Sequence, residues 1–91
     1  THIGAHVIIN TGTTVDHDCQ VGDFVHLAPG VHLAGQVIIE EGVFIGIGSA
    51  VIPKVKVGAW TVVGAGAAVV ENLSPYITAV GVPAKPKKVI S

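Results

Sequence analysis

The chain has 91 residues, 12% of them charged and 4% aromatic, with a formal net charge of -1. Those figures exclude a nucleic-acid surface, which needs a basic stripe or aromatic stacking platforms. No unbroken apolar run reaches the ~18–20 residues of a membrane span. One cysteine, Cys19, excludes a disulfide framework within the chain and suits a reducing cytoplasm.

From Ile3 onward a branched aliphatic recurs every six residues: Ile3, Ile9, Val15, Val21, Leu27, Leu33, Ile39, Ile45, Val51, Val57, Val63 and Val69. Four residues after each stands a small or medium residue, from Val7, Thr13 and Cys19 through Ser49 and Thr61 to Leu73. A fixed short period of this kind signals a stacked architecture, in which each repeat leans on its neighbours. Residues two apart on a strand share a face, so the small residue and the next aliphatic both point inward. Turn-tolerant residues follow many of the aliphatics: Gly4, Asn10, Asp16, Gly22, Gly46, Gly58 and Gly64. These are expected to hold left-handed backbone at tight corners. Each hexad then makes one side and one corner. Three sides make an eighteen-residue coil, and the twelve hexads make four coils.

At the N-terminal end, Thr1 and His2 already fill the fifth and sixth places of a hexad, and no cap covers the first coil. An uncapped coil exposes a sheet edge, so an upstream piece is expected to have been removed. At the other end the repeat closes at Leu73. Pro75 cannot donate to a ladder and reads as the stop. The expected division is a β-helix over residues 1–74 and a tail over 75–91.

The hexads resemble those of the hexapeptide-repeat acyltransferases. The resemblance implies an all-β, left-handed parallel β-helix that forms homotrimers. The left hand is implied by the family alone, since parallel crossovers are otherwise right-handed. A narrower likeness runs from Asn10-Thr11-Gly12 through Val15-Asp16-His17-Asp18-Cys19 to Val21-Gly22-Asp23-Phe24-Val25-His26. It continues through Pro29-Gly30, Ala34-Gly35, Phe44-Ile45-Gly46-Ile47-Gly48-Ser49 and Gly81-Val82-Pro83-Ala84-Lys85. These stretches resemble bacterial sugar acetyltransferases, the UDP-4-amino-sugar N-acetyltransferases and sialic-acid O-acetyltransferases. The resemblance implies acetyl-CoA as co-substrate and a nucleotide-linked amino sugar as acceptor, in the cytoplasm. It also implies an N-terminal sugar-nucleotide-binding domain, which this chain does not contain.

His17 is the candidate general base. Acetyl transfer from a thioester needs a group that takes the acceptor's proton, and histidine suits that task. In the family the matching histidine is the base and the following acidic residue, here Asp18, assists it. Asp16 falls at a corner and reads as a turn residue. Cys19 occupies an inward small-residue position and reads as a buried filler, not a nucleophile. His26 points outward from a different side in the second coil, so it is expected to meet His17 only across two prisms. The resemblance assigns it a contact with acetyl-CoA.

Gly35 is eighteen residues after His17 and should stack on it, with room for a thioester and a backbone N–H to serve as oxyanion donor. Gly46, Ile47 and Gly48, and more weakly Gly64 and Gly66, are candidates to line the pantetheine arm. Lys85, with Lys87 and Lys88, is a candidate for the CoA phosphates, and Asn10 for the sugar.

Carbonic anhydrases of the same fold bind zinc through histidines. The spacings of His2 and His6, and of His26 and His32, do not match their pair, so no metal is expected. The remaining alternatives are O-acetylation of a sialic-acid-type sugar and a non-catalytic trimeric solenoid. Such a spacer has no use for the His17-Asp18 pair. An ice-binding face would need a threonine ladder, whereas Thr11, Thr13 and Thr14 give way to Pro29, Val31 and His32 eighteen residues on.

Overall fold

The computed structural model describes residues 1–89. The first coil carries β1 (His2–Ile3), β2 (Ile8–Ile9) and β3 (Thr14–Val15). The second carries β4 (Gln20–Val21), β5 (His26–Leu27) and β6 (His32–Leu33). The third carries β7 (Ile38–Ile39), β8 (Phe44–Ile45) and β9 (Ala50–Val51), and the fourth β10 (Lys56–Val57), β11 (Val62–Val63) and β12 (Ala68–Val69). Two strands follow, β13 (Ile77–Val80) and β14 (Lys85–Val89).

Each coil stacks in parallel on the next with the expected offset of eighteen: His2 faces Gln20, Ile8 faces His26 and Thr14 faces His32. The result is a three-sided prism. Its first side is the sheet β1-β4-β7-β10, its third side is β3-β6-β9-β12, and its second side carries β2, β5, β8, β11, β13 and β14. The ladder continues around the corners, as in Phe24 N–H donating to Ala5 O at 3.0 Å and Gln36 N–H to His17 O at 2.9 Å.

The interior is a column of stacked aliphatics. Leu27, Leu33, Ile39, Ile45, Val51, Val57, Val63 and Val69 are all buried. The first coil has no neighbour below in this chain, so Ile3 is 44% exposed where Val21, directly above, is 3% exposed. The small inward residues do more than fill space. Thr13 Oγ1 donates to Ala28 O at 2.9 Å, the Cys19 thiol to Ala34 O at 3.1 Å and Ser49 Oγ to Gly64 O at 2.8 Å. Each satisfies a corner carbonyl of the coil above. Among the described residues, no buried side-chain polar atom lacks a partner.

Two expectations change. The left-handed backbone does not sit on the residue after each aliphatic. It sits two positions later, at His6, Gly12, Asp18, Phe24, Gly30, Gln36, Gly42, Gly48, Lys54, Trp60 and Gly66. Several glycines of the earlier position are required by close approach instead. A Cβ on Gly22 would lie 2.8 Å from Glu41 N, and one on Gly46 would lie 2.6 Å from Ala65 N. Those are backbone atoms of the next coil, which cannot give way.

The chain also does not leave the prism at Pro75. The offset shortens by two residues, so that Val57 faces Leu73 and Val63 faces Ala79. β13 therefore adds to the second side, with Ile77 and Ala79 buried, and β14 folds back antiparallel along it.

Candidate active site

His17 and Asp18 stand on the third corner, between β3 and β4. The corner is built locally. Asp16 Oδ1 accepts the His17 backbone N–H at 2.8 Å, which is the turn role expected of it. Asp18 takes the left-handed conformation with φ 58°. The His17 carbonyl is held from above by Gln36 N–H.

The two side chains meet through His17 Nδ1 and Asp18 Oδ2, 3.3 Å apart, and both are open to solvent at 69% and 72% exposure. A carboxylate only accepts, so Nδ1 carries the proton in this contact, and in the neutral ring Nε2 presents its lone pair. That leaves Nε2 as the basic nitrogen. The contact is long for a hydrogen bond.

Gly35, in the coil above, packs directly against that ring. A Cβ on Gly35 would be 2.5 Å from His17 Nε2 and 2.6 Å from Cε1. The imidazole therefore rests on the glycine Cα, and any side chain there would displace it. Gly35 O accepts from Lys54 N–H at 3.1 Å, while among the described residues the Gly35 N–H has no acceptor.

The other candidates gather on the second side and the corner that follows it. His26 is half-buried on β5, between Ile8 below and Phe44 above. Its ring meets Phe44 edge-on at 4.9 Å between centroids. Asn10, on the next corner, lies with Nδ2 3.0 Å from His26 Nε2 and 3.0 Å from Leu27 O. Ile47 and Gly48 stand two coils above Asn10 on that corner, both exposed. A Cβ on Gly48 would meet nothing within 4 Å. Lys85 is exposed on β14, further up the same side. Lys88 pairs with Thr78 through its backbone, and its side chain lies outside the described residues.

The third corner is the one opposite the second side. One prism therefore does not bring His17 to His26, and the two groups of candidates stay apart. Two shallow troughs run along the first and third sides. The trough on the third side, lined by Thr14, Asp16, His32, Ala34, Ala50 and Ile52, reaches the corner of His17. Among the described residues no three His, Cys, Asp or Glu side chains converge, and no helix is long and apolar enough to cross a membrane.

Sequence reasoning missed two features. The Asn10–His26 contact spans sixteen residues, two short of the coil offset. The second is an aromatic column on the corner leading into the second side. His6 stacks on Phe24 at 5.3 Å, Trp60 lies over Gly42, and Tyr76 follows. Phe24, Phe44, Trp60 and Tyr76 are all the Phe, Trp and Tyr residues of the chain, and all four are exposed. Their recurrence near multiples of eighteen was the available signal.

No protein-family model matches the chain. It is 45% identical over 51 residues to GDP-perosamine N-acetyltransferase of Escherichia coli O157:H7, covering 56% of this chain and 23% of that protein. It is 36% identical over 81 residues to an acyl-[acyl-carrier-protein]–UDP-N-acetylglucosamine O-acyltransferase of Herminiimonas arsenicoxydans, covering 89% of this chain and 31% of that protein. A solved structure of perosamine N-acetyltransferase from Caulobacter crescentus, a histidine variant complexed with CoA and GDP-perosamine, superposes with a TM-score of 0.93 at 52% identity. That match covers 93% of this chain and 40% of the other.

The chain belongs to the hexapeptide-repeat acyltransferases.

Hexapeptide-repeat helices of this family are left-handed, and the superposition carries that hand to the present coils. The chain spans less than half the length of these three relatives. Within the family fold, Cys19 is a core residue with its thiol spent on Ala34 O. Cys19→Ser keeps a donor at that position and is expected to leave the melting temperature close to the parent's. Cys19→Ala orphans the carbonyl and should lower stability by about 1–3 kcal/mol, read by thermal denaturation.

Proposed function

We propose that the chain is the catalytic β-helix of an acetyl-CoA-dependent N-acetyltransferase acting on a nucleotide-linked amino sugar. The observation that carries this reading is the His17 imidazole, bonded to Asp18 and resting on Gly35 with Nε2 free. It is supported by the likeness to enzymes named for N-acetylation of GDP-perosamine and by CoA in the solved complex.

In this mechanism the acceptor amine attacks the thioester carbonyl. The new C–N bond forms, the C–S bond breaks, and CoA leaves as the thiolate, which takes up a proton. His17 Nε2 removes the amine proton, and Asp18 holds the ring by Nδ1. The Gly35 N–H is the donor for the carbonyl oxygen as it gains charge. The strip from His26 through Ile47 and Gly48 to Lys85 follows the length of CoA, with the thioester at His26 and a phosphate at Lys85. Asn10 Oδ1 is left for the sugar.

The working unit is a homotrimer. The corner with His17 faces away from the side with His26, so one site takes its two histidines from two subunits. The second side and its leading corner expose Ile8, Phe24, Phe44, Trp60 and Tyr76. A patch of that kind marks a contact surface. With acetyl-CoA as donor, the reaction takes place in the cytoplasm.

Free thiol released from acetyl-CoA tests this. Release is expected with GDP-perosamine or a UDP-linked 4-amino sugar, and the faster of the two identifies the nucleotide. Native mass spectrometry should show a trimer taking up three acetyl-CoA. Acetyl-CoA uptake by a monomer, or no acceptor-dependent thiol release with either sugar, would overturn the reading.

A further inference from the structure

Asn10 has two amide hydrogens, and both are committed. A backbone carbonyl only accepts, so the amide atom 3.0 Å from Leu27 O is the NH2 and not the oxygen. One hydrogen goes to that carbonyl. The other points at His26 Nε2, also at 3.0 Å. A ring nitrogen that receives a hydrogen must present its lone pair. His26 Nε2 is therefore bare, and the ring proton sits on Nδ1.

We propose that Asn10 is a positioning residue that holds His26 as the neutral Nδ1–H tautomer, so that His26 acts as a hydrogen-bond donor and not as a second base. The ring cannot turn over to escape this. Its Nε2 edge is held by Asn10, whose own amide is fixed by Leu27 O, and Phe44 packs against it from the coil above. Resting on the function proposed above, the tautomer divides the work. His17 Nε2 takes the acceptor's proton, while His26 Nδ1–H offers a hydrogen-bond donor to the thioester end of acetyl-CoA.

The test is long-range ¹H–¹⁵N correlation NMR on the labelled chain. In the unliganded protein, His26 is expected to show a protonated Nδ1 and a bare Nε2. An unconstrained imidazole prefers the reverse. Asn10→Asp replaces the donor with an acceptor, so Nε2 should gain a proton and its bare-nitrogen signal should vanish. A wild-type His26 with its proton on Nε2, or an Asn10→Asp spectrum unchanged at His26, would overturn the proposal. The wild-type spectrum decides even if the variant fails to fold. Adding acetyl-CoA should shift the His26 Nδ1 resonance. A correct tautomer that acetyl-CoA leaves unmoved would uphold the Asn10 contact and sink the acetyl-CoA reading instead.

Discussion

His17→Ala is expected to lower acetyl turnover by about 10²–10⁴-fold, the range that removal of a general base commonly costs. Stability should move by no more than about 0.5 kcal/mol, because the side chain is largely solvent-exposed and supports no packed neighbour. Thermal denaturation and acetyl-CoA uptake should therefore match the parent while thiol release collapses. Added imidazole should restore part of the rate, since it supplies the missing base to the gap beside Gly35. Asp18→Asn should do less damage. It keeps a side chain that can accept from Nδ1 and loses only the charge that supports the imidazolium. Near-normal turnover in His17→Ala would remove the base assignment.

Gly35→Ala should have the second largest effect, and for a reason that lies in His17. The added methyl would fall 2.5 Å from Nε2. Gly35 does not carry the left-handed backbone that marks other corner residues, so alanine is tolerated there conformationally. The ring is exposed and swings aside at little cost in stability. Its base nitrogen then leaves the position over the corner, and misplacement of about 1 Å can cost about 10²-fold in rate. The expected result is a fall in kcat of that order with an unchanged melting curve. The double variant His17→Ala/Gly35→Ala should be no slower than His17→Ala alone, because both changes remove the same group. Additive losses would show that Gly35 serves by another route, such as the room it leaves for the thioester.

The hexads made most of the fold legible. Inward positions must be branched aliphatics of similar size for coils to stack, so Ile3 to Val69 reveal both the phase and the eighteen-residue offset. Gly35 above His17 followed from that offset alone. The corners were less legible. Left-handed backbone falls on His6, Phe24, Trp60 and Tyr76 as well as on glycines, and bulky residues do not read as turn formers. The glycines that attracted notice, such as Gly46, answer instead to the backbone of the coil above. Ser74-Pro75 read as a stop because proline donates no hydrogen bond, yet a two-residue shortening lets Tyr76 turn the next corner and keeps β13 on the prism. Asn10 and His26 meet because a carboxamide reaches sideways across the corner, which no count of hexads reveals.

Subunit mixing tests directly whether one site draws its two histidines from two subunits. His17→Ala and His26→Ala chains, each nearly inactive alone, are unfolded together, refolded as mixed trimers and assayed for thiol release. If His17 of one subunit works with His26 of another, random mixing rebuilds about a quarter of the sites, and activity returns to about that fraction of the parent. Mixed trimers no more active than either parent variant would contradict the shared site, and with it the assignment of His17 and His26 to different subunits.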